Sequence, residues 1–147
     1  MKSVTGNYKE CVVTYNKVTE DGLEKKVKDT FVVNALSFTE AEAKINKEMS
    51  SYISGAFQVI NINPAQYGEV FFCEDEIADR WYKAKLQFIT IDESTEKEKR
   101  TNCIYLVQAN TFEQARKNID SVMNGTMIDY VIAKIEETKL VDVFVER

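Results

Sequence analysis

The amino-acid sequence predicts an α+β fold made of two copies of one β-β-α-β-β unit about a pseudo-twofold axis, with the helices packed on an antiparallel-rich sheet. Three observations predict it. The first is an internal duplication. Shifted by 74 positions, the chain superposes Tyr8-Lys9 on Tyr82-Lys83 and Thr30 to Ile45 on Ile104 to Ile119, so that Val33, Ala35, Phe38, Ala41 and Ile45 meet Val107, Ala109, Phe112, Ala115 and Ile119. At an offset of 73, Val59, Ile60 and Ile62 meet Ile132, Ala133 and Ile135, and Glu69-Val70-Phe71 meets Asp142-Val143-Phe144. The second is a helix-start signal present in both copies, and the third is the set of β-branched and aromatic runs that flank each helix. A duplication of this kind specifies an architecture and leaves the chemistry open.

Taken in order, Tyr8 to Tyr15 and its counterpart Trp81 to Ile91 alternate partly between polar and apolar positions and read as strands. A charged stretch follows in each copy, Asn16 to Asp29 with an Asp21-Gly22 turn signal and Asp92 to Thr101. The second strands, Thr30 to Ala35 and Cys103 to Ala109, then close a hairpin. Ser37-Phe38-Thr39-Glu40 and Thr111-Phe112-Glu113-Gln114 fit the capping box, in which the hydroxyl covers an orphan amide and the Glu or Gln side chain reaches back to the cap residue's own N–H. Phe38, Ala41, Ile45, Met49 and Tyr52, and in the second copy Phe112, Ala115, Ile119 and Met123, fall on one helical stripe. Gly55 and Gly125 stand where helix ends are expected. A third strand, Phe57 to Ile62 or Tyr130 to Ile135, and a short fourth, Glu69 to Cys73 or Asp142 to Val145, complete each unit. Pro64, the single proline, is expected in the turn between them.

A free unit of about 70 residues has little apolar surface to bury, so two copies sharing a core are favoured. The reading is one compact domain overall, with the first repeat over residues 1–76 and the second over 77–147. The hydrophobic fraction of 44% supports a packed core, and 29% charged residues argue against a membrane protein. No run of 18 apolar residues exists, and Met1 to Asn7 lacks the hydrophobic stretch of a signal peptide, which makes a cytoplasmic location the expectation.

Composition narrows the chemistry. The chain has no histidine, which removes the commonest general base and zinc ligand. Cys11, Cys73 and Cys103 are odd in number and flanked by strand-like residues, so reduced thiols are expected rather than disulfides or a metal cluster. The acidic joint Glu74, Asp75, Glu76 and Asp79 lacks EF-hand spacing and reads as a solvated linker, and no metal or cofactor is expected. No phosphate-cradling glycine loop, nucleophile elbow or paired C-x-x-C is present, so the chain reads as a non-enzyme.

The formal charge of −5 disfavours a surface that grips nucleic acid everywhere, but local patches remain. Lys25-Lys26 and Lys99-Arg100 are equivalent under the repeat, as Lys9 and Lys83 are at the 74-residue offset, and Tyr8, Trp81 and Tyr82 stand beside them. Cations that neutralise phosphates next to rings on which bases stack are what a single strand of DNA or RNA needs, and the favoured reading is a non-catalytic accessory binding protein with single-stranded nucleic acid as its candidate ligand. The bland reading of the same residues is a solvated hairpin, since Glu20, Asp21, Glu24, Asp92, Glu93, Glu96 and Glu98 are interleaved with them. The alternative function is a protein-binding or self-assembling adaptor. Phe71, Phe72 and Phe144 lie on short fourth strands that would dock another chain if they formed sheet edges.

The blocks Ala35-Leu36-Ser37-Phe38-Thr39-Glu40-Ala41-Glu42-Ala43, Tyr52-Ile53-Ser54-Gly55 and Asp79-Arg80-Trp81-Tyr82-Lys83-Ala84-Lys85-Leu86 resemble an uncharacterised family, a domain of unknown function. That family occurs in gut Bacteroidetes and in their phages and mobile elements. The resemblance spans nearly the whole chain and transfers no active site. It implies a small cytoplasmic accessory protein, phage-linked, with binding roles favoured over metabolism.

Overall fold

Residues 2–145 are described by a computed structural model. They form β1 (Lys2–Thr5), β2 (Tyr8–Val18), β3 (Glu24–Asn34), α1 (Phe38–Tyr52), β4 (Phe57–Ala65), β5 (Glu69–Phe72), β6 (Arg80–Ile91), β7 (Glu98–Ala109), α2 (Phe112–Met123), β8 (Tyr130–Glu137) and β9 (Leu140–Phe144). The fold is α+β. The order strand-strand-helix-strand-strand occurs twice, in β2 to β5 and in β6 to β9, and β1 is an addition that the repeat does not contain.

The strands make two mixed sheets in place of one, ordered β1-β5-β7-β6-β8 and β4-β2-β3-β9. Their composition crosses the repeat boundary. One compact unit holds β1 and Tyr67–Thr138, and the other holds Gly6–Gln66 and β9. The units are therefore not the sequence halves 1–76 and 77–147. Each half supplies its fourth strand to the other half's sheet, where β5 runs parallel to β7 and β9 runs parallel to β3.

Connection length explains the exchange. Both β3 and β4 are antiparallel to β2, so they run in the same direction, and the position beyond β3 holds a strand parallel to both. Returning from β4 to that position in the same sheet would need a crossover of on the order of a dozen residues. Only Gln66, Tyr67 and Gly68 separate β4 from β5, and only Thr138 and Lys139 separate β8 from β9. The chain instead continues into the other sheet. At the start of β5 a Cβ on Gly68 would stand 3.1 Å from the Cys103 Sγ, close enough that only glycine fits without displacing it.

The register also corrects the repeat alignment of the first strands. Tyr8 pairs with Asn34 and Trp81 pairs with Gln108, so Tyr8 corresponds to Trp81 and the offset of β2 onto β6 is 73. The extra residue of the second copy sits in its hairpin turn, 92–97 against 19–23. Lys9 thus corresponds to Tyr82, and Lys83 to Glu10. Contacts agree, because the Lys9 ammonium lies 5.8 Å from the centre of the Phe38 ring while the Tyr82 ring lies 6.4 Å from that of Phe112. Side chains alternate faces along a strand, so a slip of one residue sends a side chain to the other side of its sheet.

Both hairpins run further than the sequence reading, with β2 reaching Val18 and β3 starting at Glu24 around the Gly22 turn, whose φ is +77°. Pro64 lies within β4, an edge strand, where a missing N–H does little harm. Helix starts are built alike. Ser37 Oγ accepts from the Glu40 N–H and Thr111 Oγ1 from the Gln114 N–H, each at 3.1 Å. The returning side chains reach one residue beyond the cap, where Glu40 accepts from the Leu36 N–H and Gln114 from the Asn110 N–H. That bond, then Lys44, holds the Glu40 carboxyl below its usual range.

Ala41, Ile45 and Met49 of α1 pack with Cys11, Val13, Phe31 and Val33 of β2 and β3. Ile119 and Met123 of α2 pack with Ala84, Leu86, Tyr105, Val107 and Phe71. Phe38 and Phe112 fall on the expected core stripe, yet each is 52% exposed at the first position of its helix, where the Phe112 ring still lies 6.4 Å from that of Tyr82.

Candidate functional site

The rings expected to stack on bases are interior. Tyr8 and Trp81 are 2% exposed and Tyr82 is 3% exposed, because the hairpin register turns each toward packed surroundings. Phe72 lies edge-on to Trp81 at 5.4 Å. These rings, expected to stack on bases, offer no exposed face to a nucleobase.

The cations divide. Lys25, Lys26, Lys99 and Arg100 are exposed on the outer halves of the two hairpins, as expected for solvated positions. Arg100 pairs with Glu98 at 3.5 Å and donates to Gln87 Oε1 at 3.3 Å. Lys9 is half-buried and donates to the Ala35 carbonyl at 3.1 Å, closing the loop before α1. Lys83 faces away from α2 on the five-stranded sheet, opposite in side to Tyr82. The structure therefore does not gather Lys9 and Lys83 into equivalent patches.

The edges also differ from expectation. β5 is interior to its sheet, with β1 pairing to it antiparallel on one side and β7 on the other, so Phe71 and Phe72 are buried and unavailable. Phe144 belongs to β9, which does form an edge, but its ring stacks on Phe31 at 5.6 Å. The strands at the sheet ends are β1 and β8 in one unit, and β4 and β9 in the other.

Beside one of these edges lies a groove that sequence reasoning missed. It has a volume of about 550 Å³ and runs between α2 and β8. Phe112, Arg116 and Asp120, spaced four apart on α2, form one wall, and residues Tyr130 to Ile135 of β8 form the other. Asp120 accepts from the Tyr130 hydroxyl at 2.6 Å, which ties the end of the helix to the start of the strand. Burial, then this hydrogen bond, pushes the Tyr130 phenol up to about 12. Among the described residues no carboxylate lies within ion-pair distance of Arg116. A bulge at Ala133 interrupts the pairing of β8 with β6. The signal in the sequence was a contrast between copies. Arg116 stands where the first copy has Glu42, Lys134 where it has Asn61, and Tyr130 where it has Phe57.

The thiols are poorly suited to nucleophilic chemistry. All three are free, and burial pushes the Cys11 thiol up to about 11 and raises that of Cys103. Among the described residues no group of three or more Cys, Asp or Glu side chains is placed to hold a metal ion. The joint residues do structural work instead, with Asp75 accepting from the Gln114 side chain at 3.1 Å and from the Ile77 N–H. No helix is long and apolar enough to cross a membrane.

Residues 7–146 match the family described as Domain of unknown function (DUF4494). The chain belongs to that family. The DUF4494 match takes in β2 to β9, and so both walls of the groove, and leaves out β1. No curated protein and no solved structure matches the chain.

Proposed function

We propose that this chain is a non-catalytic accessory binding protein that acts as an adaptor, docking a protein partner along an open sheet edge. The observation that supports it most is the β8 edge, an end strand bordered by a groove with an exposed ring and a cation on its helical wall. End strands present backbone donors and acceptors in a row that an extended segment can pair with. Raised thiols and the lack of histidine favour binding over catalysis. A cytoplasmic, phage- or mobile-element-linked setting fits an accessory role of this kind.

A second reading, binding of a single-stranded nucleic acid through phosphates alone, is favoured by one specific arrangement. Lys83 and Lys85 of β6, Arg100 of β7 and Lys134 of β8 share the face of the five-stranded sheet turned away from α2, with Lys85 directly across from Lys134. Fluorescence anisotropy of a labelled single-stranded oligonucleotide, with a duplex of the same sequence as control, separates the two readings. The adaptor reading expects no tight binding even at low salt. Tight, strand-selective binding that weakens steeply with ionic strength, and is lost in the double variant Lys25→Glu with Lys99→Glu or in Lys85→Glu, would replace it with the nucleic-acid reading.

A further inference from the structure

We infer that the α2–β8 groove takes a short acidic segment of a partner protein, added as an extended strand to the outer edge of β8 with Arg116 receiving its carboxylates. This inference rests on the adaptor reading and names the partner's chemistry. An added strand needs a free edge, a wall on one side to receive alternate side chains, and a length that the edge can match. β8 is the end strand of its sheet, and α2 supplies the wall.

The charges choose the occupant. Side chains of an added strand alternate between the two faces of the sheet. Those on the helix side meet Arg116, which among the described residues has no carboxylate within ion-pair distance, and those on the other side meet Lys85 and Lys134, the latter also paired with Glu136 at 3.2 Å. Asp120, the acidic group of the same wall, is already engaged by the Tyr130 hydroxyl. Guanidinium groups bind carboxylates in a two-pronged geometry that ammonium groups do not match. Phe112 closes the other end of the wall with an exposed ring that can cover an apolar residue of the segment.

One feature separates this occupant from a second copy of the chain. The bulge at Ala133 breaks the regular pairing that a long edge-to-edge dimer would use, and a short segment needs only a few residues of it. The first copy is an internal control, since Glu42 and Asn61 at the equivalent places would repel or ignore an acidic segment.

The test is chemical-shift mapping on the isotopically labelled full chain with two capped hexapeptides, one alternating glutamate with valine and one alternating lysine with valine. Expected are shifts confined to 112–120 and 130–136 with the glutamate peptide only. Arg116→Glu should weaken that binding about tenfold or more and admit the lysine peptide, while Glu42→Arg on α1 leaves the groove's affinity unchanged. Arg116 is exposed, so its replacement leaves the fold intact, and Lys134→Glu provides a second variant whose affinity should fall in the same direction. Glutamate-peptide shifts at β4 or β9 would overturn the groove while leaving the adaptor reading standing. Absence of shifts with both peptides, or equal response to both, overturns the acidic-segment inference. Failure of the adaptor reading itself is read separately, from the oligonucleotide titration.

Discussion

Tyr15 and Tyr130 each donate a phenolic hydrogen bond to a carboxylate, Tyr15 to Asp29 at 2.7 Å and Tyr130 to Asp120 at 2.6 Å. Both phenols are raised from an ordinary 10 to about 12, Tyr15 first by its bond to Asp29 and Tyr130 first by burial. A group raised in the folded state stabilises it below its unfolded pKa and loses that contribution as pH climbs through the folded one. Thermal stability should therefore fall between pH 10 and about 12, and Tyr15→Phe and Tyr130→Phe should each flatten that fall. Melting temperature followed against pH, with tyrosinate absorbance alongside, checks it; an unchanged slope in both variants would show that neither phenol is raised by folding. At this scale the sequence was least informative. Tyr8, Trp81 and Tyr82 have the composition of a stacking platform, and only packing shows that their faces are covered.

Helix starts are the elements most completely written in local sequence. Ser37 and Thr111 each cover the amide three residues further along the chain, which needs no distant residue. Ser37→Ala and Thr111→Ala should each cost about 1 kcal/mol in denaturant unfolding, with the slope unchanged. A cost near zero would mean that the returning Glu40 and Gln114 side chains hold the helix starts alone. The copies also repeat a lateral tie, with Lys44 donating to the Asn34 carbonyl and Asn118 to that of Gln108. Strand ends were read too short because charged residues at the hairpin tips, such as Lys25 and Lys99, look like loop yet pair in solvent across Lys17 and Thr90. β1 was missed because four residues with one apolar member carry no period.

For the whole molecule, the exchanged fourth strands make each sheet depend on the other half of the chain. Truncation after Thr138 removes β9, which pairs with β3 of the first repeat, although β9 belongs to the second repeat in sequence. Hydrogen exchange should then show the larger loss of protection in β3 and α1, with β6 and β7 protected as before. Greater loss in β6 and β7 would contradict the exchange.

The α+β class, the repeated element order, the helix starts and the buried stripes of α1 and α2 were determined by the sequence itself, because each rests on neighbours three or four positions away or on strand alternation. The partition into two sheets, the 73-residue relation of β2 to β6, and the covered or open state of each edge were decided only by tertiary structure. Edges and exchanged strands depend on pairing between residues far apart in the chain, as β9 with β3 and β5 with β7, and no local period records which distant strand a segment will join.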